Sequence, residues 1–112
     1  MELEIVERTD ALTRIALTGR MDSPGVDQVG PQLEAALAQG GDGVLDLSGV
    51  SFLSSLGVRL LITTAKRLDR RGSRLVLVAP GPLVGQALRH ASIDEIIPVA
   101  ADVEGARSLL GS

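Results

Sequence analysis

The stretch Asp46–Leu61, DLSGVSFLSSLGVRLL, decides how this chain is read, because the spacing of its apolar residues changes partway along. Gly43 to Leu47, GVLDL, has the look of a short buried strand. From Val58 onward the spacing is helical: at about 100° per residue, Val58, Leu61, Ile62, Ala65 and Leu68 fall in one broad sector. That sector is the expected core face. Ser54 and Ser55 sit at the seam, and Arg70, Arg71 and Gly72 stop the helix where the negative end of its dipole favours cations.

Working outward, strand and helix periods alternate. Upstream, Leu3 and Ile5 alternate with Glu2, Glu4 and Glu7, and Leu12, Ile15 and Leu17 follow a polar break at Arg8 to Asp10, which predicts a β-hairpin. Gly19 and Asp22 close its second strand. Ser23 before Pro24 reads as an N-cap followed by proline in the first turn, and Pro31 as a restart or kink, so the expected helix is Gln32 to Gln39, stopped by Gly40 and Gly41. Downstream, Arg74 to Ala79, RLVLVA, reads as a strand buried on both faces of a parallel sheet. PGPLVGQALRHA is then a short helix, EIIPV a last strand, and ADVEGARSLL a terminal helix with Asp102 and Glu104 in its first turn. The order implies right-handed crossovers and an α/β fold: a mostly parallel, mixed five-stranded sheet with an opening hairpin and four helices, in one domain over residues 1–112.

Composition narrows the function. Eleven basic and fourteen acidic residues leave a net charge of -3, which offers no general attraction to nucleic acid or to anionic lipid. Phe52 is the only aromatic residue, so the stacking platforms of single-strand binders are missing. There is no cysteine and one histidine, His90, which removes disulfides, thiolate zinc sites and multi-histidine metal clusters. No metal and no cofactor is expected. The charged start MELEIVERTD is unlike a secretory signal, and no apolar run approaches the roughly 20 residues that span a bilayer. A cytoplasmic protein is the expectation, without nucleic-acid or membrane partners.

The serine pair admits three roles. A serine N-cap satisfies a free backbone N–H for about 1 kcal/mol, and one serine suffices for that. The other would lie on the first turn with its hydroxyl accessible. A catalytic nucleophile would need a base and an oriented partner, yet there is no G-x-S-x-G elbow, and His90 stands alone. The stretch Ala79 to Pro82 is no phosphate loop either. No catalytic residue is assigned, and no enzyme is expected. The third role is an acceptor for a modification. Leu56 and Leu60 project away from the expected core sector, beside Arg59, Thr63 and Arg67, either as ordinary surface leucines or as a docking patch with a cationic rim.

DLSGVSFLSSLGVRLL resembles the signature of STAS domains, the fold of sulphate transporter tails and bacterial anti-sigma factor antagonists. LTGRMD, Leu17 to Asp22, resembles the family's Leu-x-Gly-x-Leu-Asp element, and GSRLVLVAP its fourth strand, so the likeness runs along essentially the whole chain. By position, Ser54 stands where many antagonists have aspartate, Ser55 on the phosphorylatable serine, Leu56 on a variable small residue and Gly57 on the glycine of the motif. Arg59 stands where the best-known members have a second glycine. The resemblance implies partner switching. Unmodified, the chain would bind an anti-sigma factor that is also a serine kinase of the histidine-kinase-like ATPase fold; phosphorylated on Ser55, or less favourably Ser54, it would let go; a PP2C-type phosphatase would reset it. Asp22, Asp46, Ser54, Ser55, Leu56, Gly57, Arg59, Leu60 and Thr63 are the expected contact residues. The alternative is a constitutive STAS adaptor beside a transporter ATPase or in a scaffold, its serines only capping. A weak homodimer through the leucine face is also open.

Overall fold

The computed structural model describes residues 1–111. Glu2–Arg8 (β1) and Leu12–Met21 (β2) form the antiparallel hairpin. Asp42–Leu53 (β3), Leu75–Val78 (β4) and Val99–Ala100 (β5) add to it in parallel, giving a sheet in the order β1-β2-β3-β4-β5. The helices are Ser23–Leu37 (α1), Ser55–Arg70 (α2), Pro82–His90 (α3) and Val103–Gly111 (α4), with a short 3-10 turn at Ile93–Glu95.

Alternation along the strands divides the core in two. Leu45, Leu47, Leu75 and Leu77 pack with Leu33 and Leu37 of α1, Leu61 and Leu68 of α2, and Val84 and Leu88 of α3. Val44, Val76 and Val78 face the other way and pack with Ala106 of α4. β4 is therefore buried throughout, as expected of an apolar strand covered on both sides.

Four elements differ from the sequence expectation. Helix α1 is continuous from Ser23, capped by Asp22 rather than by Ser23, and passes straight through Pro31. Pro31 and Asp27, whose carbonyl loses its helical partner, both face solvent, while Gly25, Val29, Leu33, Ala36 and Leu37 make one unbroken buried stripe. Packing of that stripe outweighs the lost bond.

The third strand runs on through SGVSFL to Leu53 instead of ending at Leu47. Two bulges explain why. Ala16 pairs with Asp46 but Thr18 with Gly49, and Gly19 pairs with Val50 but Arg20 with Phe52, so β3 spends one extra residue at each step. The residues that point into the core are then Leu47, Val50 and Leu53, spaced by three.

On α2 the buried positions are Gly57, Leu61, Thr64 and Leu68, while Val58, Ile62 and Ala65 are only half-buried. The core face is rotated toward α1, because α2 packs on the sheet and on that helix together. Finally, EIIPV is mostly a turn: only Val99 and Ala100 join the sheet, after Pro98, which has no N–H to give to a ladder.

Candidate functional site

The site grows from the carboxyl ends of β2 and β3, where Met21 pairs with Leu53. Both strands then turn into helices by the same device. Asp22 caps α1, its Oδ1 accepting from the Gly25 N–H at 3.0 Å, and Ser54 caps α2, its Oγ accepting from the Gly57 N–H at 3.2 Å. The Ser54 hydroxyl also donates to the Met21 carbonyl at 2.6 Å, and the Ser54 N–H donates to the same oxygen at 3.1 Å. The start of α2 is thus tied directly to the end of β2.

Glycine permits this closeness. A Cβ on Gly57 would lie 2.7 Å from Leu53 Cδ1, 2.9 Å from Met21 Cβ and 3.0 Å from the Met21 carbonyl oxygen. A Cβ on Gly25 would fall 2.0 Å from the Arg20 carbonyl oxygen. Gly57 is consequently buried and packs the helix against its neighbours, which corrects its expected place among surface contacts.

Ser55 is the first helical residue and is exposed, and its hydroxyl makes no hydrogen bond among the described residues. Capping by Ser54 serves Gly57, so the N–H groups of Ser55 and Leu56 have no partner among the described residues either. No acidic residue stands in the first turn of α2. The positive end of the helix therefore faces outward at Ser55.

Around it is an apolar and charged surface. Phe52 is 39% exposed and Leu56 40%, high for the only aromatic residue of a chain and for a leucine on a packed helix. Arg20 stacks on Phe52, 4.3 Å from the ring centroid, and its Nε bonds the Asp22 carboxylate at 3.3 Å. Asp22 is held below the ordinary aspartate range, first by the Gly25 N–H and then, against some desolvation, by Arg20. Arg59 and Thr63 continue along the exposed ridge of α2 from Ser55.

Two expected contact residues lie elsewhere. Leu60 is half-buried and turned toward α1, where it packs on the core beside Gly30. The rotation of the α2 core face moves it out of the outward sector. Asp46 is not at a strand end but in the middle of β3, on the face opposite Leu45 and Leu47, and its Oδ1 accepts from the Ser48 N–H at 2.9 Å across the first bulge. The structure brings Asp22, Ser54, Ser55, Leu56, Arg59 and Thr63 to one region, and adds Arg20 and Phe52. The sequence signal for Phe52 was its solitude; Arg20 gave none, since its stacking depends on the second bulge. Among the described residues no group of His, Cys, Asp or Glu could hold a metal ion, and no helix is long and apolar enough to cross a membrane.

Comparison with known proteins agrees with this fold. The family model described as Mlab, STAS domain, matches residues 5–98. An anti-sigma F factor antagonist of Lysinibacillus sphaericus is 29% identical over 94 residues, 82% of this chain and 79% of that protein. Among solved structures, an anti-sigma factor antagonist from Mycobacterium paratuberculosis superposes with a TM-score of 0.86 at 22% identity, over 99% of this chain and 96% of that one. The anti-sigma factor antagonist SpoIIAA in its unphosphorylated form gives a TM-score of 0.77 at 25% identity over 99% and 96%. The phosphorylated form of SpoIIAA, from Bacillus, gives 0.68 at 24% over 96% and 97%.

Proposed function

The chain belongs to the STAS domain family, and from that premise we propose that it is an anti-sigma factor antagonist whose grip on an anti-sigma factor is released by phosphorylation of Ser55. The observation that carries this reading is the division of labour between the two serines. Ser54 has its hydroxyl committed twice, to Gly57 and to Met21, whereas the Ser55 hydroxyl is exposed and uncommitted.

A phosphate on Ser54 would remove the cap and the tie to β2. One on Ser55 meets free N–H groups and the positive end of α2, so the fold tolerates it. In the transfer, Ser55 Oγ attacks the γ-phosphorus of ATP held by the kinase; the hydroxyl proton passes to a base of that kinase, and ADP leaves. The product differs at its surface by about -1.5 to -2 charges. Phe52, Leu56 and Arg59 surround that change, and apolar centres with charged rims are the usual composition of docking surfaces. SpoIIAA, solved both with and without its phosphate, is the precedent for a two-state antagonist. The partners of this reading are an anti-sigma factor with serine-kinase activity of the histidine-kinase-like ATPase fold and a PP2C-type phosphatase.

The test is labelling with that kinase and ATP, followed by mass mapping. One phosphate is expected on Ser55, absent from Ser55→Ala. Label that persists in Ser55→Ala and disappears in Ser54→Ala overturns the site. A stable complex that neither phosphorylation nor phosphatase treatment alters supports the constitutive adaptor instead.

A further inference from the structure

We propose that Arg59 is the residue that holds a phosphate on Ser55, so that modification also withdraws a cation from the docking face. This rests on the reading of Ser55 as the acceptor. The two residues stand four apart on α2 and both are exposed, a spacing that brings Cβ atoms within about 5–6 Å on one face of a helix. The anion is the N-terminal member and the cation the C-terminal one. That is the order helices favour, since it also suits the dipole.

Arg59 is available for the purpose. It makes no hydrogen bond or ion pair among the described residues, whereas Arg20 is engaged by Asp22 and Phe52, and Arg67 bonds Glu34 at 3.1 Å. Asp22, at the neighbouring helix start, is occupied by Gly25 and Arg20 and does not compete for it. The planar guanidinium matches phosphate oxygens two at a time, which a lysine cannot do. With Ser55 unmodified, the Arg59 side chain is free to meet an acidic group on a partner. With Ser55 phosphorylated, it turns inward along its own helix. Phosphorylation then acts twice on one contact, adding negative charge and cancelling a positive one.

The experiment installs phosphoserine at position 55 of the full chain by genetic-code expansion and follows its second ionisation, near pH 6 for the unperturbed group, by phosphorus NMR. Arg59→Ala is expected to raise that pKa by about 0.15–0.4 unit, the size of one helical ion pair. Arg59→Lys, which keeps the charge but not the planar fork, is expected to restore only part of the difference, Arg70→Ala at the far end of α2 to change nothing, and salt at about 1 M to erase the effect. A shift below about 0.1 unit in Arg59→Ala, or an equal shift in Arg70→Ala, overturns the proposal. Because the phosphate is installed rather than transferred, the outcome does not depend on any kinase. Failure of the latch and failure of Ser55 as acceptor are therefore separate results.

Discussion

Replacing Ser54 by alanine removes two interactions at once. The Gly57 N–H loses its side-chain acceptor, at about 1 kcal/mol for a serine cap. The 2.6 Å bond to the Met21 carbonyl is lost as well, a further cost of about 1 kcal/mol. That carbonyl keeps the Ser54 N–H at 3.1 Å, so it is not orphaned and the second figure does not grow. The destabilisation is then about 2 kcal/mol. With an unfolding entropy of about 2.1 cal/mol/K per residue, the chain of 112 residues has about 0.24 kcal/mol/K in total, and Tm should fall by about 8 °C. Ser55→Ala touches no partner and should stay within about 0.5 kcal/mol of the parent. Paired thermal and urea melts followed by circular dichroism measure both variants. If Ser55→Ala costs as much as Ser54→Ala, or Ser54→Ala melts with the parent, the assignment of cap and acceptor is wrong.

Gly57→Ala places a Cβ 3.0 Å or less from Leu53, Met21 and the Met21 backbone, and urea melts should show a loss of about 2 kcal/mol or more. Leu61→Ala, at a fully buried position under α2, should cost about 3 kcal/mol in the same assay. Asp22 titrates below its ordinary range in the folded chain. It therefore contributes stability that is present above its unfolded pKa and is lost as pH falls through its lower folded value; Asp22→Asn, which can still cap, should flatten the acid side of the stability profile below about pH 4. Phe52→Ala should cost about 1 kcal/mol in the melt through the lost stacking of Arg20, and weaken capture of the anti-sigma kinase about tenfold or more in calorimetric titration.

The elements that follow one clean period were legible in the sequence: the hairpin, the helix after Ser55, the apolar β4 and the order of strands and helices. The misread ones obey a local rule that tertiary structure overrides. Bulges at Gly49 and Phe52 convert the strand period of two into three along Leu47, Val50 and Leu53, so no strand signal survives in that stretch. Pro31 advertises a break, but it falls on the solvent side of α1, where the buried stripe does not need its N–H. Asp22 and Ser23 are both good caps by type; which one acts is set by how far β2 runs beside β3. At the site, capping chemistry says that one serine of the pair suffices as a cap but not which one; only the positional resemblance to STAS domains singled out Ser55 as the expected acceptor. The inward turn of Leu60 was not legible, since an ideal helical wheel centred on Val58 ignores packing against α1. The stacking of Arg20 on Phe52 was hidden for the same reason as the strand that carries it.

On the proposed reading, one phosphate at Ser55 separates a binding state from a released one without unfolding the chain. Calorimetric titration of the chain into its anti-sigma kinase, unmodified and with phosphoserine installed at position 55, measures this directly. Tight binding is expected for the first and binding weaker by about 100-fold or more for the second, with far-UV circular dichroism unchanged between them. Equal affinity for the two forms, or a phosphorylated chain that has lost its helical signal, would refute a phosphate switch at Ser55.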